Sequence, residues 1–158
     1  MKESKDKFEF FWGGPFSQWY KSDFTIDGIT YNCAEQYMMA KKALLFQDID
    51  SHTAIMAAKV PAKQKELGRA VKNFDATKWN AVCKQYVYEA NFAKFSKEPL
   101  KALLLATAEK EIVEASPYDT IWGIGLSEHN DDRFDKSKWK GTNWLGEVLM
   151  QVRDALRK

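Results

Sequence analysis

The chain is 158 residues long, close to the commonest single-domain size and able to bury roughly two-thirds of its unfolded surface, so one domain spanning residues 1–158 is expected. Its 45% hydrophobic and 29% charged residues exclude long disorder. The 24 basic and 22 acidic side chains are mixed along the sequence for a net charge of +2, which leaves no electrostatic footprint for duplex nucleic acid but permits a small anionic ligand.

No run approaches membrane-spanning length, and Met1 to Lys7 lacks the apolar centre of a signal peptide. Cys33, Cys83, His52 and His129 are not spaced as zinc ligands. The expectation is a cytoplasmic protein in a reduced compartment, with no membrane contact, no metal and no cofactor. Six Trp, six Tyr and ten Phe exceed what a small core needs; such a surplus lines pockets that stack flat ligands, while an aromatic-rich core accounts for at least half of it.

In chain order, Phe8 to Trp12 reads as a short strand ended by Gly13-Gly14-Pro15. Phe24 to Tyr31 reads as a hairpin, because Asp27-Gly28 between β-forming residues is a strong turn signal. Helices follow: one through Ala34 to Leu45, a short one near Ser51 to Ala58 with Ser51 as its cap, and one from Pro61 that stops at Gly68. Trp79, Val82, Cys83, Tyr86, Val87 and Ala90 recur at amphipathic spacing in a helix started by Asp75 or Thr77. Pro99 opens a turn-rich helix through Leu104, Glu111 to Ala115 is a strand candidate, and a last helix runs from about Thr142 or Asn143. No repeat, linker or low-complexity segment divides the chain.

Glu35 and Lys42 carry the clearest chemical signal. Seven residues apart on one helix, they leave the same face to within about 20°. A carboxylate and an amine beside Met38 and Met39 have their pKa values moved by desolvation and by each other. The competing reading is a capping box, in which Glu35 returns to a backbone N–H near Asn32.

Three irregular segments add to this. Phe16-Ser17-Gln18-Trp19-Tyr20 offers aromatic faces beside a hydroxyl and an amide. Leu67-Gly68-Arg69 places a guanidinium at a helix end, either for the terminal carbonyls or for a phosphate. Asp119 to Leu126 sets an acid before Trp122-Gly123-Ile124-Gly125, whose glycines allow close backbone approach to a ligand or form a structural turn. It lacks the third glycine of a dinucleotide fingerprint. Lys140 to Gly146 leads into the last helix, where free N–H groups would receive an anion unless Asn143 only caps it.

Taken in order, Phe16-Ser17-Gln18-Trp19, Ala34-Glu35-Gln36-Tyr37 with Lys42, Leu67-Gly68-Arg69, Trp79, Asp119 with Trp122-Gly123-Ile124-Gly125, and Gly141 to Gly146 with Leu149-Met150 and Arg153 resemble the NADAR family of YbiA-like N-glycosidases. The resemblance runs from Phe10 to Arg153. One departure is the polar stretch Ser127 to Lys138, longer than in compact bacterial members, which bears on the pocket rim and hence on substrate.

The resemblance implies a mainly α fold with a few short strands (α+β), a compact single-domain YbiA-like fold, and an enzyme that hydrolyses a ribose C–N bond. In the best-known members the substrates are phosphorylated ribosylaminopyrimidines of riboflavin biosynthesis; other members remove ADP-ribose from guanine in nucleic acid. By motif, the family's catalytic glutamate, tryptophan and aspartate become Glu35, Trp79 and Asp119, with Lys42 beside them. Phe16, Ser17, Trp19, Tyr37, Arg69, Trp122, Gly123, Gly125 and Asn143 are expected to bind substrate.

Cleaving that bond develops positive charge on the sugar and negative charge on the departing nitrogen, so a carboxylate and a proton donor both help. Lys42 adds either a Schiff-base route or a counter-charge for Glu35 or phosphate. The partner is thus a small phosphorylated ribosylamine, with an ADP-ribosylated nucleic acid as the alternative. A non-catalytic nucleotide- or ADP-ribose-binding module is the third reading, against which Glu35, Lys42 and Asp119 together argue.

Overall fold

The computed structural model describes residues 3–158, whose contacts divide into two units, Gln18–Lys94 and the remainder, residues 3–17 with 95–158. Among the described residues there are six α-helices and four short strands, the mainly helical α+β class expected from the resemblance. No helix among them is long and apolar enough to cross a membrane.

The unit Gln18–Lys94 begins with the hairpin. Strands β2 (Phe24–Ile26) and β3 (Ile29–Tyr31) pair antiparallel, Phe24 opposite Tyr31 and Ile26 opposite Ile29. Asp27 and Gly28 both take positive φ, 52° and 81°, the primed turn whose twist matches the strands. Rings of Phe24 and Tyr31 stack at 5.8 Å, and Tyr37 meets Tyr31 edge-on at 4.9 Å, so the hairpin is welded to helix α1 (Ala34–Leu45). α1 is buried on most of its circumference, from Ala34 through Ala40 and again at Ala43.

Helix α2 (Ile49–Ala57) is capped by Asp48, not by Ser51 as expected: Asp48 Oδ1 accepts the Ser51 N–H at 3.1 Å and Oδ2 the Ser51 hydroxyl at 2.7 Å. Asp48 Oδ2 also accepts the N–H of Lys72 at 2.9 Å, and these bonds hold its carboxyl down to about 2. Helix α3 (Pro61–Arg69) starts at Pro61, as expected, and ends one residue beyond Gly68. A Cβ on Gly68 would lie 1.9 Å from Met39 Sδ, so any side chain at position 68 would displace the Met39 side chain that packs between α3 and α1. Helix α4 (Ala76–Phe95) is capped by Asp75, whose Oδ1 accepts the N–H groups of Thr77 and Lys78. Its expected stripe buries Trp79, Cys83, Val87 and Ala90, and continues through two polar residues, Asn91 and Lys94.

In the other unit, β1 (Phe8–Phe11) pairs parallel with β4 (Glu111–Glu114), Phe8 opposite Glu111 and Phe11 opposite Glu114. The apolar cluster of Phe8, Val113, Ile124, Leu126 and Phe134 forms its core. Between the strands come α5 (Leu100–Leu105) and its following turn, which Arg153 of the last helix α6 (Trp144–Leu156) ties down by donating to Thr107 Oγ1 at 2.9 Å and Lys110 O at 2.7 Å. The long polar stretch Ser127 to Lys138 folds onto this core. Two short 3-10 turns, Asp131–Phe134 and Lys136–Lys138, are capped by Asn130 and Asp135, and Phe134 is buried.

Candidate active site

Glu35 occupies the second position of α1 and is only 5% exposed. The capping-box reading does not describe it. The side chain that returns to the Asn32 N–H is Gln36, whose Oε1 accepts it at 2.8 Å. Glu35 instead accepts the indole N–H of Trp19 on Oε1 at 3.2 Å, while its backbone N–H donates to Gln18 O at 3.0 Å.

Lys42 follows two turns along α1, as the spacing predicted. It is half-buried, with Nζ 4.6 Å from the centroid of the Phe74 ring and 5.7 Å from that of Trp79. Burial lowers its pKa; the Glu35 carboxylate opposes that shift and the Arg69 guanidinium reinforces it. A second cation beside a desolvated lysine favours the neutral, nucleophilic amine.

Arg69 is the exposed last residue of α3, and Lys65, one turn earlier, sits with Nζ 6.0 Å from the centroid of the Trp19 ring. Trp79, in the first turn of α4, is 9% exposed and gives its ring to both Lys42 and Tyr86. One face of the unit thus collects Trp19, Glu35, Lys42, Arg69 and Trp79. Tyr37 is turned elsewhere: it belongs to the ring cluster under the hairpin, and its hydroxyl donates to Glu89 Oε1 at 2.6 Å. Burial and Glu89 raise its pKa, so Tyr37 acts as a core phenol.

The remaining candidates lie in the other unit. Phe16 packs between Phe11 and Phe95 at 5.7 and 5.9 Å, and Ser17 closes the preceding turn with its N–H on Gly14 O at 3.0 Å. Asp119 Oδ1 accepts the N–H groups of Ile121 and Trp122 at 2.9 and 2.8 Å, an Asx turn that starts the loop. Trp122 meets Trp144 edge-on at 5.7 Å. The glycines of this loop serve the chain's own packing: a Cβ on Gly123 would lie 2.7 Å from Glu114 Oε2, and Gly125 takes φ 70°.

Asn143 stands before α6 at φ 53° without capping it. Its Nδ2 donates to Ile112 O at 3.0 Å and its Oδ1 accepts the N–H of Glu114 at 3.0 Å, which secures the helix start to β4. The N–H groups of Asn143, Trp144 and Leu145 donate to the carbonyls of Gly123, Ile121 and Trp122, so the anion site expected at this helix end is filled by the loop itself.

Sequence reasoning missed Phe74, which carries no local signal. It also passed over Gln18 as a contact of Glu35, and over Asn91 and Lys94, although both continue the α4 stripe and a lysine inside such a stripe is itself unusual. Among the described residues no group of three or more His, Cys, Asp or Glu is placed to hold a metal ion.

Comparison with known proteins shows the family to which the chain belongs. The NADAR domain model matches residues 10–157. The chain is 44% identical over 163 residues to N-glycosidase R617 of Acanthamoeba polyphaga mimivirus, covering 94% of this chain and 96% of that protein. It is 32% identical over 144 residues to N-glycosidase YbiA of Escherichia coli strain K12, covering 90% and 81%. The NMR structure of E. coli YbiA superposes with a TM-score of 0.79 at 30% identity, over 99% of this chain and 88% of that one. The chain is a hydrolase acting on N-glycosyl bonds. It belongs to the NADAR family.

Proposed function

We propose that this N-glycosidase hydrolyses the ribose C–N bond of phosphorylated ribosylaminopyrimidines, the reactive early intermediates of riboflavin biosynthesis. The observation that carries this reading is the pairing of Glu35 with a lysine of lowered pKa against the Trp79 and Phe74 rings, with Arg69 beside it for a phosphate.

A ribosylamine opens when its ring oxygen takes a proton and the C1′–N bond becomes an imine. The neutral Lys42 amine adds to C1′, and a proton moves from the lysine nitrogen to the departing nitrogen. The aminopyrimidine leaves and a lysine–sugar imine remains. Water then adds to C1′, releasing ribose 5-phosphate and regenerating Lys42. Glu35 carries the proton in these steps, held in place by Trp19. Trp79 supplies a flat wall for the pyrimidine. Asp119, catalytic by resemblance, has Oδ1 committed to its loop, so acid–base work there falls to Oδ2.

The ligand is a small molecule, and two free buried cysteines fit a reducing cytoplasm. The test is to give purified protein the phosphorylated ribosylaminopyrimidine and, in parallel, an ADP-ribosylated guanine oligonucleotide. Release of ribose 5-phosphate supports the reading. Release of ADP-ribose alone would move the enzyme to nucleic-acid repair, and binding without release of either would leave a nucleotide-binding module.

A further inference from the structure

Helix α4 turns two fully buried polar side chains, Asn91 and Lys94, inward where its apolar stripe would otherwise continue. Asn91 Nδ2 donates to Gln18 Oε1 at 2.8 Å and to Val87 O at 2.8 Å. Gln18 is itself buried, and its backbone carbonyl accepts the Glu35 N–H at 3.0 Å. The next residue, Trp19, donates its indole N–H to Glu35 Oε1 at 3.2 Å. One turn beyond Asn91, Lys94 Nζ lies 5.5 Å from the centroid of the Tyr20 ring. The loop Gln18 to Tyr20 is therefore held at its start by α4 and delivers two polar contacts to Glu35 in the first turn of α1.

This arrangement is a poor device for stability. Gln18 Nε2 and Asn91 Oδ1 are both buried with no hydrogen-bond partner among the described residues. A pair serving the fold alone would be fully satisfied or apolar, since a half-satisfied buried network is worse than neither. What the pair does achieve is to fix the Gln18 side chain, and through it the peptide and indole that hold Glu35.

We propose that Gln18 and Asn91 are positioning residues that set the orientation of the Glu35 carboxylate. Neither touches the reacting atoms. Asn91 pins Gln18, the Gln18 carbonyl pins the Glu35 backbone, and the Trp19 indole, carried by the same loop, aims Oε1. This rests on Glu35 being catalytic.

The test is the double variant Gln18→Met/Asn91→Leu, close in volume and free of buried polar atoms. Its melting temperature should match or exceed that of the wild type, because removing both partners leaves no unpaired group. Turnover of the phosphorylated ribosylaminopyrimidine should fall about 10²-fold in kcat with KM changed less than about twofold, the signature of lost orientation. In ¹⁵N–¹H spectra the Trp19 indole resonance, assigned by its loss in Trp19→Phe, should move upfield as the carboxylate drifts away. An unmoved resonance overturns the proposal, and so does a moved resonance with unchanged kcat. A lowered melting temperature with full kcat below the transition would make the pair structural only. If the wild type turns over neither substrate, the functional reading fails, while the resonance in the variant still decides whether the clamp holds Trp19 on Glu35.

Discussion

Gln36 Oε1 accepts the backbone N–H of Asn32 at 2.8 Å, so the return contact at the start of α1 belongs to Gln36 and the adjacent Glu35 carboxylate is given to Trp19. On the proposed function, two neighbouring residues of one helical turn thus divide fold and chemistry between them. Glu35→Gln should abolish turnover and leave the melting temperature nearly unchanged. Gln36→Ala should do the reverse, costing about 1–3 kcal/mol of stability through lost buried hydrogen bonds while the folded fraction stays active. Full activity in Glu35→Gln, measured as ribose 5-phosphate release, would end its catalytic assignment.

Lys42 can be caught in the act. If it forms the imine, borohydride added during turnover traps a sugar adduct, seen as a mass increase that Lys42→Ala removes. Because burial lowers its pKa, the rate should rise with pH through a value below the ordinary lysine range of 10.5. Lys42→Arg should be inactive, since a guanidinium stays protonated. An active Lys42→Arg enzyme with no trapped adduct would leave direct attack by water.

Trp79 is core by its burial and, on the proposed function, also a wall of the site. Trp79→Phe preserves most of the ring volume and should cost about 1–2 kcal/mol of stability, yet it removes stacking area beside Lys42 and should raise KM. Unchanged KM with a large fall in melting temperature would make Trp79 core alone.

Lys94 gives a pH signature of its own. Burial lowers its pKa from 10.5 to about 7. Between those values the unfolded chain binds the extra proton, so stability rises with pH through this window by at most about 1.4 kcal/mol per unit; below it the full cost of a buried charge applies. Cys33, pushed up from 9 to about 11, acts in the opposite sense only above its ordinary value. Thermal melts at pH 7, 8 and 9 should show Lys94→Met more stable than wild type by a margin that shrinks as pH rises. Parallel curves would sink this assignment.

Activity should persist after exhaustive dialysis against a chelator, because the proposed chemistry rests on carboxylate and amine groups. Loss of turnover restored by one specific divalent ion would refute this.

Much of this was legible where the interaction is local. Asp27-Gly28 specifies its own turn, the α4 stripe repeats at helical spacing, and seven residues return Glu35 and Lys42 to one face. The failures share a cause, competition from partners distant in sequence. Asn143 looks like a cap but is taken by Ile112 and Glu114 of β4. Asp48 outcompetes Ser51 because its carboxylate also anchors the Lys72 N–H. Tyr37 looks like a ligand residue until the hairpin folds onto it, and the link from Asn91 to Gln18 spans 73 residues that no local pattern encodes.

The loop after Asp119 uses up its own carbonyls. Every carbonyl from Asp119 to Ile124 accepts a backbone N–H, from Gly125, Thr142, Trp144, Leu145, Asn143 and Lys140 in turn, while the N–H groups of Ile121 and Trp122 are spent on the Asp119 carboxylate. What the segment turns outward is side chains such as those of Tyr118 and Ile121, over a main chain whose carbonyls are already spent. Such a frame can exchange its outward residues one at a time and keep its shape, which makes this loop a place where relatives of the same architecture can vary their surface without refolding.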